Sequence, residues 1–223
     1  EMCIRDSNLP GALSVIAIAE KNNLFKAPET YMEKISANVH EKEVVDLDYS
    51  IKKNIYNLSD YLNKKPEDLT ACIMDRPRHN SIIKELNNLK VKIKLITDGD
   101  VSGALLVTDK KYNVDIFLGI GGGPEGVLAA SALDAYECVF QGRFLFNTDK
   151  DKIRAKKMGI KNLKKKYELN EIVSGDSIFC ATGITSGDLL NGIVIKDKNF
   201  ISETLVTHKS SKLKKIIKME EKI

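Results

Sequence analysis

The segment VDIFLGIGGGPEGVLAASA, residues 114–132, constrains the fold of this chain more than any other. An apolar strand, a run of glycines, Pro124 and a helix of small residues follow one another directly. A strand that opens onto a helix N-terminus exposes unpaired backbone N–H groups and the positive end of the helix dipole, which together favour an anion. The glycines let an anion approach the main chain through backbone conformations that are closed to other residues. The segment therefore predicts a strand–turn–helix unit with an anion site at the turn.

Glu125 places a carboxylate beside this anion site. A carboxylate next to an anion is favourable when a cation lies between them, so Glu125 is a candidate ligand of a divalent metal ion. A tight turn in which Glu125 only complements the helix dipole explains the same residues. The segment alone leaves both interpretations open.

Downstream of residue 69, apolar strand patterns alternate with helix patterns. Alternation of this kind predicts an α/β fold in which parallel strands form a sheet with helices on both faces. The predicted strands span 70–74, 91–97 and 114–120, and the predicted helices span 77–89, 101–107 and 124–133.

Polar side chains follow each of these three strands directly. Ligands of parallel sheets bind at the carboxyl ends of the strands, so we expect these side chains to form one site. Arg76 and Arg78 suit the bidentate binding of phosphate, and Asp98 and Asp100 suit sugar hydroxyls or a hard cation. Together with the glycine turn they predict a sugar-phosphate pocket. Solvated arginines and a helix-capping aspartate explain each segment taken singly.

The composition argues against two classes of partner. A net charge of +4 among 30% charged residues is too mild for a nucleic-acid-binding surface. No apolar run approaches the roughly 20 residues that cross a membrane, and LSVIAIA at residues 13–19 lacks the preceding positive segment of a signal peptide, so we predict a buried strand there. The four cysteines have neither metal-ligand nor paired spacing, which is typical of free thiols in a reducing cytoplasm.

Several motifs together resemble the class II fructose-1,6-bisphosphatases of bacteria, which are metal-dependent members of the lithium-sensitive sugar phosphatase superfamily. The likeness extends from residue 9 to residue 207. It lies in APETYMEK, DRPRHNSII, KLITDGDVSGAL, DIFLGIGGGPEGVLAASAL, FQGRF, KKMGI and FCATGITSGDLLNGI. The resemblance implies a layered α-β-α-β-α fold, a homo-oligomer (dimer or tetramer) and a role in gluconeogenesis. It also implies hydrolysis of the 1-phosphate of fructose 1,6-bisphosphate with Mg²⁺ or Mn²⁺; some relatives also accept sedoheptulose 1,7-bisphosphate.

Carried over position by position, the resemblance implies a set of substrate contacts and one metal ligand, Glu125. The implied substrate contacts are Tyr31, Arg76, Pro77, Arg78, Asp98, Gly99, Asp100 and Gly122. No catalytic residue is identified. The family's other metal ligands belong to an upstream acidic segment of the Asp-Pro-Ile-x-Gly-Thr type, and this sequence has no such motif. We therefore expect an N-terminally truncated phosphatase that is inactive as these 223 residues alone.

On this basis we divide the chain into three parts. Residues 1–7, EMCIRDS, match nothing that follows and are interpreted as a foreign leader. Residues 8–64 are interpreted as the incomplete remnant of an N-terminal α+β domain that binds metal. Residues 65–223 are interpreted as the α/β domain that binds the sugar phosphate, built on a Rossmann-like, mostly parallel sheet.

Two other functional classes stay open at this point. A non-catalytic module would bind a sugar phosphate in the same pocket without turnover. A dinucleotide-binding oxidoreductase is suggested by the G-x-G-x-x-G spacing at residues 121–126. That fingerprint belongs on the first strand of its unit, with an acid about 20 residues further on. Here the strand is the third of the series and the following VFQGRF ends without an acid, which disfavours this reading.

Overall fold

The computed structural model describes residues 10–222, so the predicted leader at residues 1–7 lies outside the described residues. The strands are β1 (Leu13–Ala19), β2 (Tyr31–Ala37), β3 (Thr70–Met74), β4 (Lys92–Ile96), β5 (Ile116–Gly122), β6 (Val139–Leu145), β7 (Lys166–Glu168), β8 (Ser177–Gly183), β9 (Val194–Lys196), β10 (Asn199–His208) and β11 (Leu213–Lys222). The α-helices are α1 (Ile51–Leu62), α2 (Asn80–Asn88), α3 (Asp100–Leu105), α4 (Gly123–Asp134), α5 (Asp149–Lys157) and α6 (Leu169–Ile172). Within residues 10–222, no helix combines the length and the apolar character needed to cross a membrane.

The larger sheet has six strands in the order β4-β3-β5-β2-β6-β7. β3 pairs parallel with both β4 and β5, whereas β2 pairs antiparallel with β5 and β6, and β7 pairs antiparallel with β6. The α/β fold class is confirmed, but the sheet is mixed rather than mostly parallel. The difference comes from β2, whose sequence YMEKISA has no apolar strand pattern because two of its polar side chains point into the core.

Helices cover both faces of this sheet. On one face, Ile55 and Leu58 of α1 and Leu86 of α2 pack in a cluster with Ile35 and Ile116 of the sheet. On the other face, α3 and α4 join a second cluster that includes the opposite side of the sheet. α4 is rich in buried alanines, as expected for a helix that is covered on most of its circumference.

The smaller sheet is antiparallel, with strand order β1-β8-β10-β11 and β9 paired to β10. Phe179, Ala181 and Leu205 belong to the same cluster as α4, so this helix layer lies between the two sheets. The described residues therefore stack as helix, sheet, helix, sheet, which is four of the five layers that the resemblance implies. The prediction that residues 13–19 form a strand is confirmed, but β1 is an edge strand, and its outer face exposes Ile16 and Ile18 by 53% and 55%.

The predicted domain boundary between residues 64 and 65 does not coincide with a boundary between the sheets. β1 and β2 both precede it, yet β1 pairs with β8, and β2 lies between β5 and β6. The division into a metal-binding and a sugar-phosphate-binding part stays a prediction.

The prediction of free thiols is confirmed for the three cysteines of the described range, Cys72, Cys138 and Cys180. Burial raises the pKa of Cys72 and of Cys138 to about 12, so both stay protonated and unreactive at neutral pH.

Candidate functional site

The three parallel strands β3, β4 and β5 end at one edge of the larger sheet, and the polar segments follow them there. Arg76 Nη2 lies 3.5 Å from Asp98 Oδ2, which joins the segments after β3 and β4. Arg78 Nε donates a hydrogen bond of 2.8 Å to the carbonyl oxygen of Ile120, which joins the segments after β3 and along β5. The structure thus brings the three segments together. Their contact with a substrate stays a prediction.

Tyr31 extends this edge from β2, where it pairs with Gly122 of β5. The guanidinium of Arg78 lies over its ring, with Cζ 5.0 Å from the ring centroid, a geometry in which the ring attracts the cation. Tyr31 is 46% exposed, and Arg78 is exposed as well. Pro77 is exposed between the two arginines and begins the tight turn that carries them. Tyr31 and Arg78 therefore present an open, positively charged surface.

Asp100 is the first residue of α3, and its carboxylate is buried in an ion pair with Lys34. Gly99 precedes it with a φ of +83°, in the left-handed region that favours glycine, and so allows the chain to turn from β4 into α3. Lys34 is only 1% exposed. Sequence reasoning missed this lysine because the local pattern of β2 carries no signal of a buried charge.

Lys34 and the three charged groups that act on it come from four different parts of the chain. Burial lowers the pKa of Lys34, while the negative charges of Asp100 and Glu125 oppose the shift and the guanidinium of Arg78 adds to it. These groups come from β2, α3, α4 and the turn after β3. One candidate residue from each of the three predicted segments therefore acts on the same buried lysine.

The glycines at the turn between β5 and α4 leave space for carboxylates. Gly121, Gly122 and Gly123 all lie outside the positive-φ region, so the prediction that they adopt conformations closed to other residues is wrong. A Cβ atom at Gly121 would collide with the carboxylate of Asp100, and one at Gly122 would collide with that of Glu125. The two acidic side chains lie directly against the main chain at these positions.

Glu125 lies in the first turn of α4, after Pro124. Within residues 10–222 it has no hydrogen bond and no ion pair within 4 Å, and its charge acts on Lys34. The negative charge of Asp100 is matched by a directly bonded ammonium group, whereas the Glu125 carboxylate is left with free lone pairs. Glu125 is thus the more suitable of the two for a cation.

One carboxylate does not make a metal centre. The described part of the chain holds no group of three or more His, Cys, Asp or Glu side chains that could bind a metal ion. The residues of the chain within 10–222 therefore fit one ligand of the metal that the resemblance implies, and not a complete set.

A cavity of about 620 Å³ opens beside Tyr31, Gly122 and Glu125 and reaches the N-terminus of α5 at Thr148. This volume is within the range of small-molecule sites. Asp98 faces a second, smaller cavity of about 230 Å³, which is also lined by residues 187–190. The larger cavity has room for a phosphorylated sugar beside Tyr31 and Glu125, and Arg76 and Arg78 are not among the residues that line it.

Comparison with known proteins identifies a family. The family described as "Bacterial fructose-1,6-bisphosphatase, glpX-encoded" matches residues 4–221. A D-fructose 1,6-bisphosphatase class 2/sedoheptulose 1,7-bisphosphatase of Synechococcus sp. is 36% identical over 215 residues, covering 91% of this chain and 62% of that protein. The protein of the same description from Synechocystis sp. is 38% identical over 196 residues, covering 82% of this chain and 57% of that protein.

A fructose-1,6-bisphosphatase class 2 of Haemophilus influenzae is 37% identical over 220 residues, covering 92% of this chain and 66% of that protein. The chain therefore spans about six-tenths of the length of these relatives.

Proposed function

This chain belongs to the bacterial fructose-1,6-bisphosphatase family, and we propose that the whole protein hydrolyses the 1-phosphate of fructose 1,6-bisphosphate to give fructose 6-phosphate and phosphate. The observation that carries the proposal is the meeting of arginines, aspartates and Glu125 at the carboxyl edge of β3, β4 and β5. These are the groups that a phosphorylated sugar and its metal ion require.

Phosphate binding is assigned to Arg78 and Arg76. The Nε of Arg78 is bonded to Ile120, which fixes the plane of the guanidinium and leaves both Nη groups without a hydrogen-bond partner within residues 10–222. Two parallel Nη–H donors match a pair of phosphate oxygens. Arg76 is held by Asp98 on the same side.

Sugar recognition is assigned to Asp98 and Asp100. A carboxylate accepts hydrogen bonds from hydroxyl groups through up to four lone pairs. The Oδ2 atom of Asp100 is bonded to Lys34, so Oδ1 is the atom left for a hydroxyl. Asp100 is thereby held in one orientation before the sugar binds.

Divalent cations would supply the remaining chemistry. They neutralise the charge of phosphoryl oxygens, and they lower the pKa of bound water so that hydroxide forms near neutral pH. We propose Mg²⁺ or Mn²⁺, with Glu125 as one ligand. The described residues do not complete the metal centre, so we assign to them binding and orientation and no bond-breaking step.

For residues 10–222 by themselves, the same observation supports binding of the sugar phosphate without turnover. The dinucleotide alternative is not proposed, because β5 follows β3 and β4 in the parallel series and is not the first strand of a unit. A homo-oligomer and a cytoplasmic location stay predictions.

The test is release of phosphate by the complete gene product. With Mn²⁺ or Mg²⁺ we expect hydrolysis of fructose 1,6-bisphosphate, and sedoheptulose 1,7-bisphosphate is assayed in parallel. We expect Glu125→Gln to lower the rate by about 100-fold, because it removes a charged metal ligand. Glu67→Gln, at the opposite edge of the sheet, is the matched control and should leave the rate unchanged. No phosphate release with either metal, or full activity of Glu125→Gln, would contradict the proposal.

A further inference from the structure

His79 ends the turn that carries the two arginines, and its side chain is completely buried. Its Nδ1 atom lies 2.7 Å from the carbonyl oxygen of Met74, and the backbone N–H of Ile120 donates to its Nε2 atom at 2.8 Å. Because the amide of Ile120 can only donate, Nε2 must be the unprotonated nitrogen. The proton is therefore on Nδ1, which donates to Met74.

The imidazole ring joins β3 to β5 where their backbones no longer pair. The parallel register between these strands consists of Ala71 with Ile116 and Cys72 with Phe117. Met74 is the last residue of β3, and Ile120 lies beyond the part of β5 that pairs with β3. The His79 ring takes the place of backbone hydrogen bonds at the edge of the sheet that faces the site.

Ile120 also holds the residue before His79. Its carbonyl oxygen accepts the 2.8 Å hydrogen bond from Arg78 Nε, while its N–H donates to His79. One residue of β5 thus fixes two consecutive residues of the turn. The Arg78 guanidinium, held in this way, lies over the ring of Tyr31.

We propose that His79 is a positioning residue, whose neutral ring fastens the arginine-bearing turn to Ile120 and so holds Arg78 where the phosphate binds. The proposal rests on the proposed function in that the ligand of Arg78 is a sugar bisphosphate. His79 does not contact the ligand itself, since its ring is buried between the strands.

The electrostatic surroundings favour the neutral ring. Burial lowers the pKa of His79, and the nearby charges of Arg78 and Arg76 lower it further, against the raising effect of the hydrogen bond to the Met74 carbonyl. A protonated ring would place an N–H at Nε2 against the N–H of Ile120.

Two substitutions at position 79 each keep one of the two hydrogen bonds of the ring and so test the bonds individually. Gln at position 79 has a terminal oxygen at the distance of Nε2, so His79→Gln keeps an acceptor for Ile120. Asn has an amide nitrogen at the distance of Nδ1, so His79→Asn keeps a donor for Met74 and leaves the Ile120 amide buried without an acceptor. Only the second change removes the bond that the proposal makes responsible for the position of Arg78.

The experiment measures kcat and KM of the complete gene product for fructose 1,6-bisphosphate with Mn²⁺. We expect His79→Asn to raise KM about tenfold with kcat changed less than about twofold, which is the effect of one buried unpaired amide transmitted to phosphate binding. We expect His79→Gln to stay within about threefold of the wild-type KM. Equal KM values for Asn and Gln would overturn the proposal.

Arg78→Met serves as the reference. An unchanged KM in this variant would overturn the role of Arg78 in the proposed function. A raised KM in Arg78→Met together with a wild-type KM in His79→Asn would overturn the role of His79 alone.

If neither variant at position 79 folds, the test is the tautomer of His79 in the wild-type protein, measured by nitrogen–proton correlation spectroscopy of the ring. A proton on Nδ1 alone supports the proposal, and a proton on Nε2 overturns it.

Discussion

Lys34 has the most unusual position of any single charged residue at the site. It lies in β2, one of the two central strands of the larger sheet, is 1% exposed, and is bonded to Asp100. The interior is unfavourable for one unpaired charge, because desolvation costs several kcal/mol per ion unless a partner and further hydrogen bonds compensate. The pair therefore depends on both members far more than an exposed pair does.

We expect Lys34→Met to lower the free energy of unfolding by about 3–5 kcal/mol, since it leaves the Asp100 carboxylate buried and uncompensated. Adding Asp100→Asn should recover a large part of this loss, because the double variant no longer buries a lone charge. The measurement is urea unfolding of this chain at pH 7, followed by circular dichroism. Lys92→Met, which removes an exposed ion pair with Asp68, is the control and should cost less than about 1 kcal/mol. A loss below 1 kcal/mol for Lys34→Met would contradict the expectation.

Secondary structure could be predicted from the sequence where local signals agree with the tertiary environment. The strand at 70–74 is found with the predicted bounds. The helix predicted at 77–89 begins with Pro77 as a tight turn at residues 77–79 and continues as α2. β2 could not be predicted, because its burial follows from a partner 66 residues further along the chain.

The connection between β2 and α1 is held to β6 and β7 by side chains. Asp46 Oδ1 accepts a 2.6 Å hydrogen bond from Lys166 Nζ, and Lys166 also pairs with Asp48 at 3.0 Å. Burial by itself would raise the pKa of Asp46, but the hydrogen bonds from Lys166, the backbone of Asp48 and Gln141 outweigh it, so the pKa is lowered.

This lowered pKa predicts how the stability of the connection depends on pH. Asp46 titrates at a lower pH in the folded chain than in the unfolded chain, where its pKa is about 3.9. Its contribution to the free energy of unfolding is therefore complete above that value and is lost as the pH falls through the folded pKa. We expect Asp46→Asn to destabilise the chain by about 1–3 kcal/mol at pH 6 and to differ progressively less from the wild type below pH 4.

Urea unfolding at pH 6, 5, 4 and 3 measures the difference between the two proteins. Asp68→Asn is the control, because Asp68 lies in an exposed pair and its replacement should change stability little at any of these pH values. If the free energies of unfolding of Asp46→Asn and the wild type differed by the same amount down to pH 3, the charge of Asp46 would not be the cause of its contribution to stability.

The assembled chain places its candidate site where a general rule of parallel sheets predicts it. Arg76, Arg78 and Asp98 could be identified from their positions after strands, because that rule needs no knowledge of distant contacts. Lys34 and His79 could not, since a buried lysine and a buried bridging histidine are defined by groups on other elements. The exposed outer face of β1 likewise depends on tertiary packing, because the helix layer meets only the face that carries Leu13 and Val15, and local patterns do not reveal this.

The binding of a sugar bisphosphate by this chain alone tests whether the convergence of these segments is functional. We expect calorimetry at low salt to show a heat of binding for fructose 1,6-bisphosphate, with no phosphate released over the same period. Arg78→Met should weaken the affinity by about 10- to 100-fold, because a bidentate, charge-assisted contact is lost. Lys92→Met removes a positive charge from the amino end of β4, at the opposite edge of the sheet, and should leave the affinity unchanged. Equal weakening of the affinity by both substitutions would show that the ligand responds only to net charge. The ligand would then not bind at the site formed by Arg78, Asp100 and Glu125.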